Sequence, residues 1–159
     1  MTLPKVKCGD VFRLQAPNGI CFIQCVKESA EMESEKIRVL PGVYSPEVIA
    51  NVDNVDMVIN KKELFFSELP LKYALRKKLA LPVGNYPIPT GSEVPRFYRV
   101  KHKTGDGVFG WHIVDLKTFN RKFVTTLSDE EVHFSPSYMM SVPDIIELIE
   151  NNWTPLEWI

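Results

Sequence analysis

Three things are scarce in this sequence: cysteine, long apolar runs, and a surplus of charge of either sign. The three cysteines, Cys8, Cys21 and Cys25, are few and odd in number, which argues against a disulfide scaffold. No segment approaches the roughly 20 apolar residues that cross a bilayer. The first ten residues hold two lysines but no apolar core of signal-peptide length, so the expectation is a cytoplasmic protein with no membrane partner. Lysine and arginine number 19 against 20 aspartates and glutamates, a net charge of -1. That balance speaks against nucleic acid as the main partner, because phosphate binders commonly carry a net basic surface. Catalytic signatures are missing too. The chain has no His-Glu-x-x-His, no Gly-x-Ser-x-Gly elbow and no phosphate loop ending in Gly-Lys-Ser/Thr. No internal repeat or low-complexity segment is present.

What is there is an ordinary globular composition: 159 residues, 45% hydrophobic and 25% charged. A chain of this length buries roughly 70% of the surface that its unfolded form exposes, so it needs neither disulfide nor metal to hold a core. A single domain over 1–159 is expected, with a β portion (1–66), a helix and proline-rich connection (67–95), and hairpins followed by a helix (96–159).

Short strands dominate the first portion. Phe12 and Leu14 share one side of a strand, Pro17-Asn18-Gly19 supplies turn chemistry, and 20–26 is apolar on both faces apart from Gln24. Such a return strand is covered on both sides. Further strands are expected at 36–43 and 55–60, with an acid-rich tip between 28 and 36. In the middle, Ser67 is placed to cap a helix with Leu71, Ala74, Leu75 and Leu79 on one face and Lys72, Arg76, Lys77 and Lys78 opposite. The four prolines of 82–95 make that stretch an extended connection and not a central strand. Strands return at 95–102, 108–116 and 122–127, the first two joined by a tight turn at 104–107. The last helix carries Val142, Ile145, Ile146, Ile149 and Trp153 as one stripe, opened by Ser141 and Asp144 as a capping box and stopped by Pro155. Trp158 and Ile159 are expected to fold back onto the body. The fold class is therefore α+β, mostly β: a small SH3-like or partly open barrel of antiparallel strands, with a central short helix and a C-terminal amphipathic helix.

Candidate chemistry is thin. Cys21 and Cys25 lie on one strand face without further ligands nearby, so they read as core residues and not as a metal site. His102, His112 and His133, with Asp106, Asp115 or Glu131, carry no spacing that defines an acid–base or metal cluster, and singly hydrogen-bonded strand histidines are the simpler reading. Gly105-Asp106-Gly107 is a hairpin turn. The acidic residues Glu28, Glu31, Glu33 and Glu35 read as solvated loop surface or, alternatively, as a negative face that steers a basic partner. Tyr44, Tyr86 and Tyr138 stand in proline-flanked loops as candidate interface anchors. No catalytic residue, cofactor or metal is expected. The partner-binding candidates are Glu28, Glu31, Glu33, Glu35 and Tyr44.

Gly9-Asp10-Val11-Phe12, the Pro17-Asn18-Gly19 hairpin and the apolar return strand resemble the opening of the immunity protein 26 family. The 64–81 region, with Leu69-Pro70, and later Pro82 and Phe97, resembles the middle of that family, so the likeness spans about the first two thirds of the chain. It implies a bacterial cytoplasmic protein that neutralises a cognate toxin by binding it, and it supplies no catalytic residues. Two other classes stay open. One is a hydrolase or nuclease with a dispersed site built from His102, His112 and nearby carboxylates. The other is a small-barrel module binding peptides or nucleic acid through the basic helix of 67–79.

Overall fold

The computed structural model describes residues 4–29, 34–47 and 52–158. Among these residues it is α+β and mostly β, with eight strands in two antiparallel sheets and no closed barrel. The larger sheet is built from β1 (Asp10–Ala16), β2 (Gly19–Lys27), β3 (Glu35–Val39), β4 (Phe65–Leu69) and β5 (Ala80–Asn85), in the order β4-β3-β2-β1-β5. Strand β2 lies in the middle, and every residue from Gly19 to Val26 is buried. Its side chains alternate between two cores, as an all-apolar strand in a covered sheet must. Cys21, Ile23 and Cys25 join Phe12, Leu14, Ile37, Val39 and Phe65 on one face, while Ile20 and Phe22 join Val11 and Leu40 on the other.

Helices cover both faces. The first face receives α2 (Leu71–Arg76) and α3 (Val142–Glu150), which bring Leu71, Ala74, Val142, Ile145 and Ile149. Trp153 meets Phe65 edge-on at 5.2 Å between ring centroids. The α3 start is the expected capping box: Asp144 N–H donates to Ser141 Oγ, and the Asp144 carboxylate accepts from Ser141 N–H. The second face is covered by α1 (Val52–Ile59), in the stretch where 55–60 read as a strand. The helical outcome has a physical basis. Val55, Val58 and Ile59, at spacings of three and four, are all buried, and Met57 points outward at 65% exposure. The fully buried Arg38 then donates to the carbonyls of Ile59 and Lys61 at the helix end, where carbonyls lack intrahelical partners.

The helix expected over 67–79 is shorter and starts later. Ser67 is buried within β4, opposite Ile37 of β3, and caps nothing. The helix begins after Pro70, ends at Lys77 and Lys78 (φ 57°), and leaves Leu79 exposed. The pairing of β4 with β3 takes the residues that helical periodicity would have assigned to a first turn. Of the proline-rich stretch, Ala80–Asn85 forms β5 at the sheet edge, where Pro82 costs no ladder donor on a central strand.

The smaller sheet is β6 (Phe97–Thr104), β7 (Gly107–Asp115) and β8 (Arg121–Val124) in sequential order. The strap at 134–140 ties it to the larger one. Arg99 N–H donates to the Ser135 carbonyl of this strap and the Arg99 carbonyl accepts from Ser137 N–H, Ser135 Oγ accepts from Phe66 N–H, and Met140 N–H donates to the Glu68 carbonyl. Arg99 locks the junction. Its guanidinium donates to the carbonyls of Val132, Phe134 and Pro155, and lies 4.4 Å from the Trp111 ring centroid and 5.1 Å from that of Trp158. Trp158 does fold back, meeting Trp111 at 5.0 Å. Ile159 lies outside the described residues.

Candidate functional site

The register of the small sheet decides what its open face presents. Val100 stands opposite His112, His102 opposite Gly110, and His112 opposite Phe123. Directly opposed residues share a face, so His102, His112 and Phe123 come together there. His102 Nδ1 and His112 Nε2 are 3.1 Å apart. The Phe123 ring contacts both imidazoles, with centroids at 5.4 and 5.5 Å. Gly110 makes room for it: a Cβ at that position would lie 2.7 Å from Phe123 Cζ.

The same sheet is basic. Between 96 and 124, Arg96, Arg99, Lys101, Lys103, Lys117, Arg121 and Lys122 stand against only Asp106 and Asp115. Asp115 is held by Arg96 through two hydrogen bonds and by the amides of Lys117 and Thr118, which keep its carboxyl well below the usual range. Large apolar side chains are exposed on the sheet and its turns: Phe109, Phe123 and, at 82%, Phe119. Aromatic side chains exposed among basic ones are an arrangement suited to binding a macromolecule.

A second feature is a cleft of about 460 Å³ lined by Glu63, Phe66, His133, Pro155 and Leu156, among others. Both carboxylate oxygens of Glu63 are buried and accept no hydrogen bond. Burial pulls the Arg38 guanidinium down, and Glu63 pushes it part of the way back up through space. The donors of Arg38 are committed to Gln24 and to the end of α1. Glu63 and Arg38 are thus near enough to interact through space but make no direct ion-pair contact. Among the described residues there is no cluster of three or more His, Cys, Asp or Glu side chains placed to hold a metal ion.

The residues singled out from sequence are dispersed. Glu28 is exposed and accepts from Cys8 N–H. Glu35 is 1% exposed, not a solvated loop residue: it accepts from Leu71 N–H and Ser29 Oγ, with Lys72 at 4.0 Å. It thereby caps α2, whose entry residue Pro70 has no side-chain cap to offer. Glu31 and Glu33 lie outside the described residues. Tyr44 is half-buried; its ring tilts against Phe22, and its hydroxyl donates to the Pro41 carbonyl and accepts from Lys61. Cys21 and Cys25 are buried core thiols, both pushed up to about 12 chiefly by burial. His133 sits at the cleft, apart from the His102–His112 pair. The basic surplus of 96–124 was open to counting in the sequence, whereas the histidine pair depends on a bulge between His102 and Lys103 that shifts the hairpin register.

Comparison with protein-family models, with curated proteins and with solved structures finds no match to the chain. No helix among the described residues is long and apolar enough to cross a membrane.

Proposed function

We propose that this protein works by binding another protein, a bacterial toxin that it neutralises, and that it docks through the open β6–β8 sheet onto an acidic surface. The supporting observation is the group of exposed basic and aromatic side chains on this sheet and its turns, Lys103, Lys117, Arg121 and Lys122 with Phe109, Phe119 and Phe123, on a chain whose net charge is -1. A charge distribution of this kind steers an acidic partner toward one face and sets its register. Aromatic side chains at the centre of such a face supply anchoring area. The toxin class comes from the family-like opening of the chain, and the docking face from the sheet.

The test is co-purification and protection against toxin domains encoded beside the gene. Wild type is expected to bind and protect, and a Lys103→Glu, Lys122→Glu double variant to fold normally but bind far more weakly. Absence of binding to every such domain contradicts the toxin reading. Retention of a generic single-stranded nucleic acid instead, with affinity falling steeply as salt rises, would assign the same face to phosphate.

The hydrolase reading asks for a concave pocket in which at least two of His102, His112 and nearby carboxylates converge, and His102 and His112 do converge. Asp115, however, is engaged by Arg96 and the 115–118 turn. Binding is therefore the better-supported reading.

A further inference from the structure

We propose that His102 and His112 form a binding site for a late first-row divalent transition ion, Cu²⁺ foremost, on the open face of the β6–β8 sheet. The separation of their facing nitrogens carries the argument. A metal–imidazole bond is about 2.0–2.1 Å, so two such nitrogens on one ion lie about 2.9 Å apart at a right angle and about 3.4 Å apart in a tetrahedron. The observed Nδ1 to Nε2 distance is 3.1 Å. The spacing is that of two adjacent ligands, and a small turn of the rings away from their shared hydrogen bond aims both lone pairs at one ion.

The scaffold holds that geometry from three sides. The two histidines are diagonal neighbours on adjacent strands of a hydrogen-bonded ladder, and such strands hold their residues at a fixed spacing. Phe123 packs against both rings from β8, across the space that Gly110 leaves open. Both imidazoles are partly exposed, so an ion reaches them from solvent without any rearrangement of the core. In the metal-free protein one ring donates its N–H to the other. On binding, that proton moves to the far nitrogen of its own ring, and both facing nitrogens present lone pairs with no net change in ring charge.

Donor chemistry selects the ion. Imidazole suits Cu²⁺, Ni²⁺ and Zn²⁺, and affinity for such donors peaks at Cu²⁺; Mg²⁺ and Ca²⁺ prefer oxygen. Two protein ligands leave positions for water or for a donor from a docked molecule. This site does not depend on the protein-binding reading: failure of every toxin domain to bind would leave it standing, and failure of metal binding would leave the docking face standing.

The experiment is titration of the full-length chain with Cu²⁺, read by calorimetry and by the nitrogen hyperfine structure of the electron paramagnetic resonance spectrum. A Cys8→Ser background removes the exposed thiol, which would otherwise reduce the ion. The expected result is a spectrum with two imidazole nitrogens. His102→Gln and His112→Gln are each expected to leave one nitrogen and to weaken binding by roughly a hundredfold, because the second ligand no longer binds intramolecularly. His133→Gln is expected to change neither readout, and Mg²⁺ to give no binding heat. Circular dichroism confirms that each variant is folded; if one is not, the other decides. A wild-type spectrum with fewer than two nitrogens overturns the proposal. So do single variants that match wild type, or loss of binding in His133→Gln.

Discussion

The two sheets differ in how their faces are used. The five-stranded sheet is covered on both sides, by α2 and α3 on one and α1 on the other, and its middle strand is buried from Gly19 to Val26. The three-stranded sheet is anchored by Arg99 and the tryptophans on one side, while Phe123, His102 and His112 remain accessible on the other. Stability is thus concentrated in the first sheet, and the second is free to present chemistry. A charged group shows the same contrast. Arg38 lies inside the larger sheet with its donors spent on the fold, whereas Lys103 and Lys122 of the smaller sheet are exposed.

The largest effect is expected from Arg38→Ala. It strands the Gln24 side chain and the Ile59 and Lys61 carbonyls at the end of α1, and taking a charged donor from buried acceptors costs about 3 kcal/mol. Urea unfolding is the measurement, and the loss is expected to extend to global stability. Arg99→Ala comes next, at about 2–3 kcal/mol, because three carbonyls lose a charged donor. Native-state hydrogen exchange should show its effect concentrated in β6–β8 and the strap, with β1–β3 much less changed. Equal loosening of both sheets would erase the distinction drawn between them.

Ser141→Ala removes the α3 cap and is expected to cost about 1 kcal/mol in a thermal melt. The cap also gives acid sensitivity a definite sign. The Asp144 carboxyl is held below its ordinary value, mainly by the Ser141 hydroxyl. Its contribution is therefore present above the usual carboxylate range and is lost as pH falls through and below it. Wild type should lose stability over that interval more than Ser141→Ala does. The smallest stability effect belongs to Phe119→Ser, within about 0.5 kcal/mol, since an 82% exposed ring has little packing to lose. A larger cost would mean that the ring packs where the structure leaves it open.

Local pattern made the β1–β2 hairpin, β3 and the three strands of the smaller sheet legible, but not β4 or β5. The β1–β2 hairpin, the doubly covered β2 strand and the Ser141–Asp144 cap follow from turn chemistry, apolar runs and capping residues that act within a few positions. Residues 55–60 were less readable, because Val55, Met57, Val58 and Ile59 fit a short strand as well as a helix until Arg38 closes the helix end. Ser67 misled for a similar reason: its capping chemistry is real, but pairing with Ile37 outweighs it. The acidic tip looked uniform in sequence, and only tertiary contact separates exposed Glu28 from buried Glu35. The histidine pair needed the hairpin register together with its bulge, which composition does not report.

The most direct test of the account is a hydrogen-exchange footprint of the protein bound to a toxin domain it protects against. Amides of β7, β8 and their connecting turn are expected to gain protection, while the acidic tip around Glu28 and the Tyr44 loop stay unchanged. Protection confined to that tip or loop, with the β6–β8 sheet unaffected, would contradict the claim that the small basic sheet is the working surface.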